Sequence, residues 1–125
     1  QRIPLTRRGI NDSFWVLTGT TRDHQLSADI QLAAKSNATV VVLMGMSKLS
    51  EIVQLFIHEG KSEMPVAIIH NGTMPDEQFV LGVVSTIVQD VAASGISSPA
   101  VIVIGEVVRL HPDFVKHKVK EIIGS

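Results

Sequence analysis

The chain has 125 residues, 11 basic and 12 acidic, with a net charge of -1 and no cysteine. That length fits one domain around one hydrophobic core, and a hydrophobic share of 45% argues against disorder. The balanced charge argues against a nucleic-acid surface, which needs a basic face, and the lack of cysteine excludes disulfides and thiolate metal sites.

No apolar run reaches the ~18 residues of a membrane span, so no membrane partner is expected and the cytoplasm is the natural setting. Gln1–Leu5 carries neither an initiator Met nor a signal-like apolar stretch, and Gln1 is expected to mark a cut inside a longer protein. Tyr is absent and Trp occurs once, so the core must be aliphatic.

Residues 1–12 read as an interdomain linker, broken by Pro4 and Gly9 and kept solvated by Arg2, Arg7 and Arg8. Residues 13–125 read as the folded domain. Phe14–Leu17 is aromatic and β-branched enough for a strand, closed by Gly19, and the polar Thr20–Gln25 follows as a loop. Ser27 caps a helix over Ala28–Lys35, with Asp29 suited to its first turn and Asn37 to its end. Ala38–Met44 is a nearly unbroken apolar run, the mark of a strand buried on both faces. Gly45 then turns the chain and Ser47 is placed to cap the next helix, where Leu49, Ile52, Val53 and Phe56 make one apolar face and Gly60 ends it.

Pro65–Ile69 is a third buried strand, turned by His70-Asn71-Gly72, and Phe79–Val84 is a fourth. Ser85 opens a helix with Ile87, Val88, Val91 and Ala92 on one side and Gly95 at its end. Pro99–Ile104 is the fifth strand, closed by Gly105. Pro112 starts a short last helix carrying Val115, Val119 and Ile122. The alternation predicts an α/β fold: a mixed, mostly parallel five-stranded sheet with helices on both faces. Phe79–Val84 follows its predecessor too closely for a crossover, so at least one pair is antiparallel.

In open α/β sheets, ligands sit beyond the carboxyl ends of the strands. Two turns occupy such places, Met44-Gly45-Met46-Ser47 and Asn71-Gly72-Thr73. Each has Gly where backbone can approach a ligand, and the second adds amide and hydroxyl groups. A turn uses Gly and Asn for conformational reasons too, so both readings stand on spacing alone. His24, His58, His70, His111 and His117 share no i, i+4 pair, so no metal site is expected. A nucleophile elbow and a phosphate-binding Gly-x-x-x-x-Gly-Lys loop are both absent. Met46 and Met64 read as core filling.

The order of the pieces adds to this. IPLT-x-RG, a strand ending in Leu-Met-Gly, then Pro-Val-Ala-Ile-Ile-x-Asn-Gly-Thr, then Ser-Pro-Ala-Val-Ile-Val-Ile-Gly-Glu-Val-Val resembles the tetrapyrrole methylases, uroporphyrinogen-III C-methyltransferase above all, over about residues 3–110. The resemblance implies two α/β domains with S-adenosylmethionine between them, this chain being the C-terminal one. The glycine-rich motif that holds the methionine end belongs to the N-terminal domain and does not occur in this chain. Met44 and Gly72 are similar to the family's contacts on the adenosine side, with Asn71 and Thr73 beside them. The family also implies a tetrapyrrole substrate, a homodimer and a missing N-terminal partner domain.

Where members carry Thr-His-Arg-Gly, this chain has Thr6-Arg7-Arg8-Gly9. Arg8 lies in that motif and suits the substrate's many carboxylates, because Arg donates in pairs; an exposed linker arginine is the other reading. No catalytic residue is assigned, because methyl transfer to an electron-rich pyrrole carbon needs alignment more than an activated side chain. The implied function is methylation of uroporphyrinogen III to precorrin-2, toward sirohaem and cobalamin. The chain taken alone is expected to be inactive. Two alternatives remain open at this point. One is another member of the superfamily, a precorrin methylase or a diphthine synthase; the other is a non-catalytic nucleotide-binding or dimerisation module.

Overall fold

A computed structural model of the chain describes residues 14–20, 25–70, 79–96 and 100–109. In chain order they form β1 (Phe14–Thr18), α1 (Ala28–Lys35), β2 (Thr39–Leu43), α2 (Leu49–His58), β3 (Pro65–His70), β4 (Phe79–Val83), α3 (Ile87–Ser94) and β5 (Ala100–Ile104). A 3₁₀ turn at Met46–Lys48 precedes α2, and another at Glu106–Arg109 follows β5. The expected last helix beyond Pro112 lies outside the described residues.

Local chemistry sets the helix ends. Ser27 Oγ accepts from Asp29 N at 3.3 Å and caps α1, and the acidic Asp29 suits the positive end of the helix dipole. Ser36, not Asn37, stops the helix: its hydroxyl donates to Ala33 O at 2.9 Å and accepts from Ala38 N at 3.2 Å. Ser47 does not cap α2, because the chain first winds one 3₁₀ turn, closed by Lys48 N donating to Gly45 O at 3.0 Å. The far end of α2 closes with Gly60 N on Ile57 O at 2.9 Å and Lys61 N on Phe56 O at 2.9 Å. That pair of bonds needs a left-handed residue, and Gly60 supplies it at φ +79. Lys61 then reaches back, its Nζ donating to Ser36 O, which ties the ends of α1 and α2 together. Partial burial lowers the Lys61 pKa, and Glu59 pulls the other way.

The strand order is β1-β2-β5-β3-β4. β1 and β2 are parallel; β5 runs antiparallel to both β2 and β3, and β3 is antiparallel to β4. The mixed α/β class stands, but the sheet is not mostly parallel. β2 and β3 point the same way, yet β5 enters between them from the opposite direction and turns two expected parallel neighbours into antiparallel ones. Every residue of β5 is buried, in keeping with the apolar run Ala100–Ile104.

Three crossovers join strands of like direction: β1 to β2 through α1, β2 to β3 through α2, and β4 to β5 through α3. The last runs back across the sheet with its strands also reversed, and reversing both keeps the helix on the same face for a crossover of the same hand. The described helices therefore lie on one face, and not on both faces as the alternation predicts. That face holds Ile30, Ala33, Ile52, Phe56 and Ile87 against Val40, Val42, Val66, Ile68, Ile102 and Ile104. The other face packs Val41, Ala67, Ile69, Val101 and Val103 with Val107 and Val108 of the second 3₁₀ turn. Each such buried Val or Ile contributes about 1.5–3 kcal/mol. Both faces of the middle strands are therefore dry, which leaves the strand ends as the places where the sheet meets solvent. No helix among the described residues is long and apolar enough to cross a membrane.

Gly60 has no atom within 4 Å of where a Cβ would stand, so substitution there tests backbone conformation alone. Gly60→Ala is expected to cost about 1 kcal/mol in urea unfolding. A loss above ~3 kcal/mol would require a steric cause that this site does not have.

Candidate functional site

The carboxyl ends of β1, β2 and β3 share one edge of the sheet, together with the amino end of β5. Register sets their levels. His70 pairs with Ala100 of β5 and Val42 with Ile102 on the other side of it, so β2 and β3 end close to the same level. One strand, β5, separates them. This is where open α/β sheets bind ligands.

The turn after β2 is strained. Met44 has φ +55, left-handed backbone that is costly for a residue with a Cβ, and its side chain is 68% exposed. A long apolar side chain held out of the core on unfavourable backbone is a feature that packing does not explain. Gly45 beside it is buried, and a Cβ there would lie 2.6 Å from Val42 Cγ1 and 3.2 Å from Ile52 Cδ1. The turn therefore seats deep between sheet and helix, with Met44 standing out from it.

Next to it, a groove of about 350 Å³ runs between Met46, Ser47, Leu49 and Ser50 on one side and Val88, Val91, Ala92 and Ile96 on the other. It opens on the helix face near the same sheet edge, because Met46 follows β2 and Ile96 leads into β5. Its walls are apolar, with the Ser47 and Ser50 hydroxyls as its polar groups. Among the described residues, no three His, Asp or Glu side chains converge as a metal site would need.

Of the residues singled out in the sequence, Met44 is at this edge. Asn71, Gly72, Thr73 and Arg8 lie outside the described residues; His70, which precedes Asn71 in the chain, is half-buried at the end of β3. Met46 and Met64 pack against the core, as filling residues do. By sequence alone, Gly19 and Thr20 mark only the end of a strand and the start of a loop. Thr20 Oγ1 donates to Met44 O at 3.4 Å, and Gly19 N donates to Leu43 O at 2.6 Å. The signal available was Thr18-Gly19-Thr20 itself, a small polar run at the carboxyl end of the first strand of a parallel pair. Ser47, read as a helix cap, is instead an exposed residue on the groove.

The sequence model of the family Tetrapyrrole (Corrin/Porphyrin) Methylases matches residues 2–88. The porphyrin biosynthesis protein HemD of Ruminiclostridium josui is 35% identical over 125 residues, 98% of this chain and 25% of that protein. The siroheme synthase of Nitrosomonas europaea is 33% identical over 110 residues, 87% of this chain and 23% of that protein. The chain thus spans about a quarter of the curated relatives it matches. Among solved structures, the uroporphyrin-III C-methyltransferase of Thermus thermophilus, complexed with S-adenosyl homocysteine, aligns at a TM-score of 0.70 and 27% identity, over 86% of this chain and 48% of that one. A cobalt precorrin-4 methyltransferase aligns at 0.71 but 21% identity, over 81% of this chain and 43% of that one, and shares the fold.

Because the Met44 side chain is largely in solvent, removing it costs little burial and releases left-handed strain. Met44→Gly is expected to hold stability within ~1 kcal/mol of the parent, the relief offset by the extra freedom of glycine in the unfolded chain. A loss beyond ~2 kcal/mol in denaturant unfolding would show that this side chain holds the fold together instead.

Proposed function

The chain belongs to the tetrapyrrole (corrin/porphyrin) methylases, and on that premise we propose that it is one domain of an S-adenosylmethionine-dependent methyltransferase. Residues 13–125 form its C-terminal domain and residues 1–12 the linker from an N-terminal domain. The substrate is uroporphyrinogen III and the product precorrin-2, toward sirohaem and cobalamin, in the cytoplasm. The observation that carries the proposal is that β2, which leads to Met44, and β3, which ends at His70, finish close together on either side of β5. It supports one adenosine half-site built from the two turns that the family resemblance singles out. A relative named siroheme synthase and a structural neighbour complexed with S-adenosyl homocysteine support the same reaction class.

The residues of this chain bind and orient. The Met44 thioether, already presented to solvent, packs against the purine or ribose. Backbone groups from His70 to Thr73 read the adenine edge, with Gly72 allowing close approach and Asn71 and Thr73 adding polar contacts. Arg8, in the linker, pairs with substrate carboxylates. When bound, S-adenosylmethionine supplies the sulfonium methyl that an electron-rich pyrrole carbon attacks. The protein contributes alignment of the two, and no side chain of this chain is assigned an acid or base role. The N-terminal domain holds the methionine end.

Two results test this. Gly72→Val in the complete protein is expected to weaken S-adenosylhomocysteine binding by about tenfold to hundredfold, a loss of roughly 1–3 kcal/mol, with the melting temperature nearly unchanged. The 125-residue chain alone is expected to form no precorrin-2. Normal binding by the variant overturns the half-site, and product formed by the chain alone overturns the division of labour between domains.

A homodimer belongs to the same proposal. Ile87 is fully buried, so it fills the core and is not surface for a partner, whereas Val88 on α3 and Leu81 on the edge strand β4 are exposed at 36% and 45% and offer apolar contact area. Sedimentation of the complete protein is expected to show a dimer at micromolar concentration; a monomer at high micromolar concentration counts against it.

A further inference from the structure

Three consecutive carbonyls surround the strained residue, and each is held. Leu43 O accepts from Gly19 N at 2.6 Å, and Gly45 O accepts from Lys48 N at 3.0 Å. Met44 O, between them, accepts from Thr20 Oγ1 at 3.4 Å. Two of the three donors thus come from the end of β1, more than twenty residues away in sequence. Gly19 also meets the turn by shape: a Cβ on it would lie 2.5 Å from Gly45 Cα, so the two backbones meet where a side chain would separate them. The end of β1 is itself anchored. Ser27 N donates to Gly19 O at 3.0 Å, and Thr20 bridges to Leu26, which fixes it to the start of α1.

A non-glycine residue at positive φ relaxes toward extended backbone unless its neighbouring peptides are held. In this turn two of the three carbonyls are held across the sheet by a second strand end, and the third by Lys48 within the turn. We propose that Gly19 and Thr20 are positioning residues: they clamp the Met44 turn in its left-handed form and so keep the Met44 side chain presented at the sheet edge for a purine nucleoside ligand. Gly19 acts by close approach and by its N–H, Thr20 by its hydroxyl. Neither need touch the ligand. The clamp stands on these hydrogen bonds and this close approach, while its consequence for binding rests on the proposed adenosine side at Met44.

Thr20→Val keeps the shape and removes the donor, Thr20→Ser keeps the donor, and Gly19→Ala forces the two turns apart. In the complete protein, the methyl signal of Met44, followed by NMR with labelled methionine, reports the turn without any ligand. Thr20→Val is expected to shift or broaden that signal and Thr20→Ser to restore it. Titration with S-adenosylhomocysteine is expected to show a three- to tenfold loss of affinity for Thr20→Val, recovery for Thr20→Ser, and a larger loss for Gly19→Ala where that variant folds. In a Met44→Gly background, Thr20→Val is expected to cost no further affinity, because nothing strained is left to clamp. An unchanged Met44 signal in Thr20→Val overturns the clamp. A changed signal with unchanged affinity leaves the clamp standing and overturns the adenosine side at Met44.

Discussion

The structure depends on where β5 lies. Ala100–Ile104 is buried along its whole length and hydrogen-bonds antiparallel to β2 on one side and β3 on the other. A strand with both edges paired and both faces covered has no freedom to slip, because a one-residue shift would exchange its two apolar faces and misalign two ladders at once. Its register therefore sets the heights of β2 and β3 relative to each other. β2 and β3 end near one level because both are paired to β5.

That constraint also explains why the candidate site is at the strand ends. The middle of the sheet is closed above by three helices and below by the residues around Val107 and Val108. Polar contact with a ligand is available only where the ladders stop and backbone groups become free. At the end of β2 the chain passes from Leu43, which packs toward one face, to Met46, which packs toward the other. Met44 is the residue caught in that change of side. Its backbone is left-handed where the neighbouring Gly45 seats deep against Ile52 and Ile102, and its side chain is exposed. Strain, exposure and position coincide at one residue.

Much of the fold was legible residue by residue. α1 runs over Ala28–Lys35 as its cap and periodicity predict, and Leu49, Ile52, Val53 and Phe56 form the buried face of α2. Gly60 and Gly95 stand at left-handed helix ends, where no other residue fits as cheaply. These are short-range effects, decided within one or two helical turns. Elsewhere the sequence misled. Ser47 has the chemistry of a cap, but the chain reaches α2 through a 3₁₀ turn closed on Gly45. Ile87 and Val88 look alike in sequence, yet one is fully buried and the other is not. The first packs beneath α3 and the second lines the groove.

By itself the sequence determined the class of each described strand and α-helix, most of their bounds, the antiparallel β3–β4 pair and the family to which the motifs belong, because these follow from periodicity, turn chemistry and short motifs carried by neighbouring residues. Only the tertiary structure decided that β5 enters antiparallel between β2 and β3, that the three described helices share one face, and that Gly19 and Thr20 close on the Met44 turn. Strand order and cross-strand contact depend on pairings between segments far apart in the chain. Such pairings leave no periodic trace in either partner alone. Val42 and Ile102 are each only an apolar residue in an apolar run until the ladder sets them side by side.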